Sequence, residues 1–138
     1  MAGFRLVKNM NEMVLEKVRV ASQAYTKGDA VMRDTSDDTV DVVPATSSTG
    51  TDRIYGIAHE TVASSATELQ VAVIEPSQVW ECETANAVDS GHNFQKMVLT
   101  DANTVNNTGT DSVADAAVVL QVGVSGAKGL FKFRGDAT

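Results

Sequence analysis

A chain of 138 residues with a net charge of −7 has room for one domain, and its core must be built from Val, Ala, Leu and Ile, because 43% of it is hydrophobic and only 5% aromatic. That charge argues against a nucleic-acid binder, whose affinity rests on neutralising phosphates. No apolar run approaches the roughly 18–20 residues of a membrane span, the N-terminus has no apolar block of secretory length, and a single cysteine, Cys82, excludes an internal disulfide framework; the expectation is a soluble protein made in a cytoplasm.

In chain order, residues 1–13 are expected to form an extended N-terminal arm. Phe4, Val7, Met10 and Met13 recur at helical spacing, but Gly3, Asn9 and Asn11 weaken a helix and no N-cap precedes it. The body, 14–138, opens with VLEKVRV, where Val14, Val18 and Val20 alternate with Lys17 and Arg19 as in a strand. Hairpin strands follow near 29–34, 39–43 and 53–59, separated by Asp/Ser/Thr and Pro/Ser/Gly turns. TELQVAVIEP, 67–76, is apolar on both faces and predicts a central strand with Val71, Val73 and Ile74 in the core, ended by Pro76. QVWECET places Trp80 and Cys82 on one face and Glu81 and Glu83 on the other. FQKMVLTD, 94–101, is a further strand, and 101–115 is read as a long polar loop. AAVVLQVGVS predicts Val118, Leu120, Val122 and Val124 on one face, and GLFKFR turns Phe131 and Phe133 inward with Lys132 and Arg134 outward. Eight or nine short, mostly antiparallel strands without helices between them predict an all-β sandwich or barrel.

The residues that carry chemistry do not gather into a site. His59 and Glu60 have no second histidine at metalloprotease spacing, and His92 sits in a turn sequence. In DTSDDTVD, 34–41, Asp34, Ser36 and Asp38 alternate as in an EF-hand loop, but Thr39 stands where the glycine belongs and Ala45 where the bidentate glutamate belongs. Cys82 shares a face with Trp80 and predicts a small buried side chain rather than a nucleophile; Glu81 and Glu83 predict a solvated face. The expectation is a protein that is not an enzyme, with no catalytic, cofactor-binding or metal residues.

Charge is more telling in its distribution than in its total. Residues 1–33 carry six Lys/Arg against three Asp/Glu, residues 34–126 two against fourteen, and residues 127–138 three against one. Basic ends that flank an acidic middle either fold back on it or reach an acidic neighbour in trans.

The order of segments resembles the small head decoration (capsid cement) proteins of tailed bacteriophages. The matching positions are the turn Gly28-Asp29 before a Val-rich strand, then Gly56-Ile57-Ala58, then Val71-Ala72-Val73. The resemblance covers most of 20–125 and implies a compact β-body on the capsid exterior of a virion. It implies binding to the major capsid protein and to itself, a homotrimer ahead of a dimer, without catalysis. The capsid or oligomer interface is then expected on the arm, at Phe4, Arg5, Leu6, Val7, Lys8 and Met10, with nothing in the arm needed to complete the body. Other functions that share the composition are a tail, fibre or baseplate β-module and a ligand- or carbohydrate-binding β-sandwich; the latter has few aromatics with which to build a platform.

Overall fold

The computed structural model describes residues 3–8, 13–34, 39–46, 54–75, 77–107 and 119–133. The alternating valine stretches form strands β1 (Arg5–Lys8), β2 (Leu15–Arg19), β3 (Ala30–Arg33), β4 (Val42–Pro44), β5 (Ile54–Ala58) and β6 (Glu68–Val73). They are followed by β7 (Val79–Cys82), β8 (Lys96–Asp101), β9 (Thr104–Asn106), β10 (Val119–Ser125) and β11 (Lys128–Phe133). Two antiparallel sheets pack as a sandwich, one of six strands in the order β1-β7-β11-β10-β8-β9 and one of five in the order β2-β6-β5-β3-β4. The expected all-β architecture is therefore present, as a sandwich rather than a closed barrel.

The five-stranded sheet is buried on both faces. Ala30, Ile57 and Ala72 turn toward the six-stranded sheet and join Trp80, Cys82, Met97, Phe131 and Phe133 in the inter-sheet core. Their alternates Val18, Val31, Leu69 and Val71 turn the other way and cluster with Val20, Val42 and Tyr25. A second apolar interior on one sheet requires the sheet to roll. An isolated parallel bridge, Val20 to Val42, brings the edges β2 and β4 together at one end. Arg19 locks that seam. Its backbone N–H donates to Asp41 Oδ2 at 2.8 Å, its Nε and Nη2 reach the two carboxylate oxygens at 3.2 and 2.7 Å, and its carbonyl accepts from the Asp41 N–H at 2.9 Å. These hydrogen bonds, from the Arg19 side chain first and its backbone next, hold the Asp41 carboxyl below the usual range. Asp41, which the sequence places in a calcium-like acidic run, is thus spent on closing the roll.

The N-terminal arm is extended, as expected, but it belongs to the body. β1 pairs with β7, Arg5 opposite Glu81 and Leu6 opposite Trp80. Phe4 is 4% exposed and lies 4.8 Å from Phe133 between ring centroids, so it fills the core instead of reaching a neighbour. The Gly3 N–H donates to the Asn103 carbonyl at 3.1 Å and the Phe4 N–H to the Gly28 carbonyl at 2.8 Å, tying the arm to both sheets. The arm crosses the Gly28-Asp29 turn so closely that a Cβ on Gly3 would lie 3.0 Å from Gly28 backbone atoms, and both glycines have positive φ, +104° and +103°.

Other expectations change in detail. Val71 is fully buried, while Val73 and Ile74 are half-buried near the end of β6. Val14 is 42% exposed, ahead of β2, although Val18 and Val20 are core. The first part of the expected 101–115 loop is β9, which hairpins back onto β8 with Val105 fully buried; residues 108–115 lie outside the described residues, as do Met10 and Arg134. In β10 the expected face of Leu120 and Val122 is the outer one. Val119 and Gln121 point inward at 0% exposure, Leu120 and Val122 are half-buried on the opposite side, Val124 is 40% exposed, and Val118 lies outside the described residues.

Candidate interaction surface

With Leu120 and Val122 outward, the question is what covers the outer face of the six-stranded sheet. Directly paired residues in an antiparallel ladder point to the same side. Leu6, Trp80, Phe131 and Gln121 form an inward row across four strands. The next row, Arg5-Glu81-Leu130-Gly123, therefore faces outward. So does the row on the other side. Lys8 is opposite Val79, and Leu120 lies between Lys132 and Lys96; one further step along the Phe131–Trp80 pairing sets Lys132 beside Val79. The result is Lys8-Val79-Lys132-Leu120-Lys96 across five strands. Its lysines stand two strands apart, about 10 Å, with the half-buried Leu120 in one gap and Val79, only 9% exposed, beneath the other.

These two rows hold four cations and one carboxylate, with Lys128 alongside and Glu83 just past the end of β7. Glu81 is not the solvated acid that alternation predicts. Its side chain is 11% exposed, with Arg5 Nη2 at 3.1 Å and Lys128 Nζ at 3.9 Å from the same Oε1. The hydrogen bond from Arg5, then the charges of Arg5 and Lys128, hold its carboxyl below the usual range against the opposing effect of burial. The acid within these rows is thus neutralised locally, and Lys8, Lys96 and Lys132 define their sign. The two basic chain ends, distant in sequence, meet here because only β7 separates β1 from β11.

Of the expected interface residues, Arg5, Val7 and Lys8 lie exposed on this sheet, Val7 at 39%. Leu6 is half-buried against the core, Phe4 is inside it, and Met10 is outside the described residues. Lys96, Lys128 and Val79 are not singled out by the sequence. The outward alternation of Lys132 and the shared face of Leu120 and Val122 are the signals, but alternation does not say which side is in.

No other feature makes a better site. A concavity of ≈ 590 Å³ at the mouth of the roll is lined by Glu16, Arg19, Arg33, Asp41 and Tyr55 among others. Its polar groups serve the fold: Arg19 holds Asp41, and the Tyr55 hydroxyl donates to the Glu16 carboxylate, which together with burial pushes the phenol up to about 12. Cys82 is fully buried, as its neighbour Trp80 suggested. Its S–H donates to the Asn103 carbonyl at 3.4 Å, and burial first, with the charge of Glu83 next, pushes the thiol up to about 12, far from a nucleophile. Among the described residues no three His, Cys, Asp or Glu side chains are grouped to hold a metal, and no helix is long and apolar enough to cross a membrane. Neither a family model nor a curated protein sequence matches the chain.

Proposed function

We propose that this protein is a non-catalytic structural module that docks on an acidic protein surface through the outer face of its six-stranded sheet. In the setting that the segment order suggests, it is a decoration protein on the capsid exterior of a tailed phage, bound to the major capsid protein and self-associating as a homotrimer. The observation that carries the reading is the ladder Lys8-Val79-Lys132-Leu120-Lys96, a cationic, half-apolar face on a chain whose net charge is −7. Such a face combines steering by charge with an apolar contact area. Many copies on a lattice multiply modest single contacts, because each further contact in a linked assembly is intramolecular.

The test is co-sedimentation with shells assembled from the major capsid protein encoded alongside this chain. The wild type binds, with an affinity that falls as salt rises. The double variant Lys96→Glu/Lys132→Glu binds at least about tenfold more weakly, while its melting temperature stays within about 3 °C of wild type because both lysines lie on the sheet surface. Undiminished binding by the double variant removes this face from the interface. Analytical ultracentrifugation of the free protein reads the trimer directly.

A further inference from the structure

Beside the cationic face stands a residue that the fold holds at a cost and does not use. Among the described residues Phe94 alone of the non-glycines has positive φ, 69°, and it is also the most exposed large apolar side chain, at 76%. A bulky side chain in the left-handed region is strained, and such strain persists only where the surroundings over-determine it, commonly at binding sites. Here they do. Phe94 follows a 3-10 turn, Ser90–His92, whose entry is capped by the Asp89 carboxylate accepting the Gly91 N–H at 2.8 Å. The Phe94 N–H donates to the Gln121 carbonyl at 2.6 Å. The Gln121 side chain, 0% exposed, donates through Nε2 to the Asp89 carbonyl at 2.8 Å and to Asn93 Oδ1 at 2.9 Å. A buried glutamine on β10 therefore clamps the loop from within, which explains why this strand turns Gln121 inward and Leu120 and Val122 outward.

Resting on the docking reading above, we infer that Phe94 is the apolar anchor of that interface, a preset phenyl knob that enters an apolar socket on an acidic protein surface. Lys96, two residues on in the chain, ends the cationic row, so the anchor stands next to the end of that row. Aromatic anchors ringed by polar contacts carry much of the affinity of protein interfaces, and a clamped backbone spares the ordering cost on binding. The lysine row that ends at Lys96, rather than the mixed charge of the loop itself, which carries the exposed Asp89, selects an acidic partner.

The experiment uses the same shells, with Phe94→Asn and Phe94→Leu compared with wild type. Asparagine tolerates the left-handed backbone, so Phe94→Asn should melt at or above the wild-type temperature while binding at least about tenfold more weakly; Phe94→Leu should fall between. Wild-type affinity in Phe94→Asn overturns the anchor while leaving the docking face standing, and a melting temperature several degrees lower shows a packing role instead. Failure of the wild type to bind shells overturns the docking reading itself and the anchor with it. A single-stranded oligonucleotide, whose bases also stack on exposed rings, is the competing occupant, and displacement of shells by it at micromolar concentration overturns the choice of a protein partner.

Discussion

The two sheets of this sandwich solve the same problem in opposite ways. The five-stranded sheet comes from one unbroken stretch, β2 to β6, and rolls until both of its faces are buried in its own chain. The six-stranded sheet is assembled from both ends, β1 with β7 to β11, and buries one face only. Its outer face combines half-buried Leu120, Val122 and Leu130 with a lysine ladder. Apolar content alone does not separate the two, since both are valine-rich. The difference is in the outward alternates, which in one sheet are valines enclosed by a roll and in the other are lysines left at the surface. A sheet that encloses both faces stabilises the chain, and a sheet that leaves one open is available to a partner.

The most severe way to break the comparison is to charge the roll. Val71→Asp places a carboxylate among Val18, Val31 and Leu69, where an unpaired buried charge costs several kcal/mol; the expected outcome is no folded protein by circular dichroism. Phe4→Ala comes next. It removes a ring packed on Phe133 and should cost about 3–5 kcal/mol in urea unfolding, where a free arm would cost nothing. A smaller loss is expected from Arg19→Ala, about 0–1 kcal/mol at neutral pH, because the Arg19–Asp41 pair is half exposed.

That pair also gives the seam an acid response. Asp41 and Glu81 have carboxyls lowered in the folded state, so their stabilisation is complete at neutral pH. It is lost as pH falls below their ordinary values of 3.8 and 4.5. Arg19→Ala should therefore flatten the loss of stability between neutral and acid pH, measured as unfolding midpoints across that range. An unchanged slope would mean that the Arg19 side chain contributes nothing to holding the Asp41 carboxylate ionised. The smallest effect on stability is expected from Lys96→Glu/Lys132→Glu, within about 0.5 kcal/mol, which is what makes its effect on docking interpretable.

Much of this fold is legible in the sequence because strands announce themselves by period. β6 reads as apolar on both faces, and Leu69, Val71 and Ala72 do face two interiors. The inward Phe131 and Phe133 of β11 are read correctly for the same reason. What period cannot supply is the side of the sheet. In β10 both sets of alternates were plausible, and the choice fell to Gln121, whose loop contacts lie about 30 residues away at Asp89 and Asn93. The arm was misjudged for a related reason: Phe4 is core because Phe133 awaits it from the far end of the chain, a contact with no local signature. The lysine ladder draws its three members from β1, β8 and β11, and only the strand order places them in a row.

The crossing of the arm over the rest of the body also fixes an order of events in synthesis. Strands β2 to β6 can pair as soon as residue 73 has left the ribosome, since every partner is already made. β1 must wait for β7, and Phe4 for Phe133, although the Phe4 N–H has an earlier partner in the Gly28 carbonyl. Such distant pairing is slow to form and late. The lysine ladder is thus assembled only once residue 132 is available, and a chain halted earlier lacks that face however well its roll has formed.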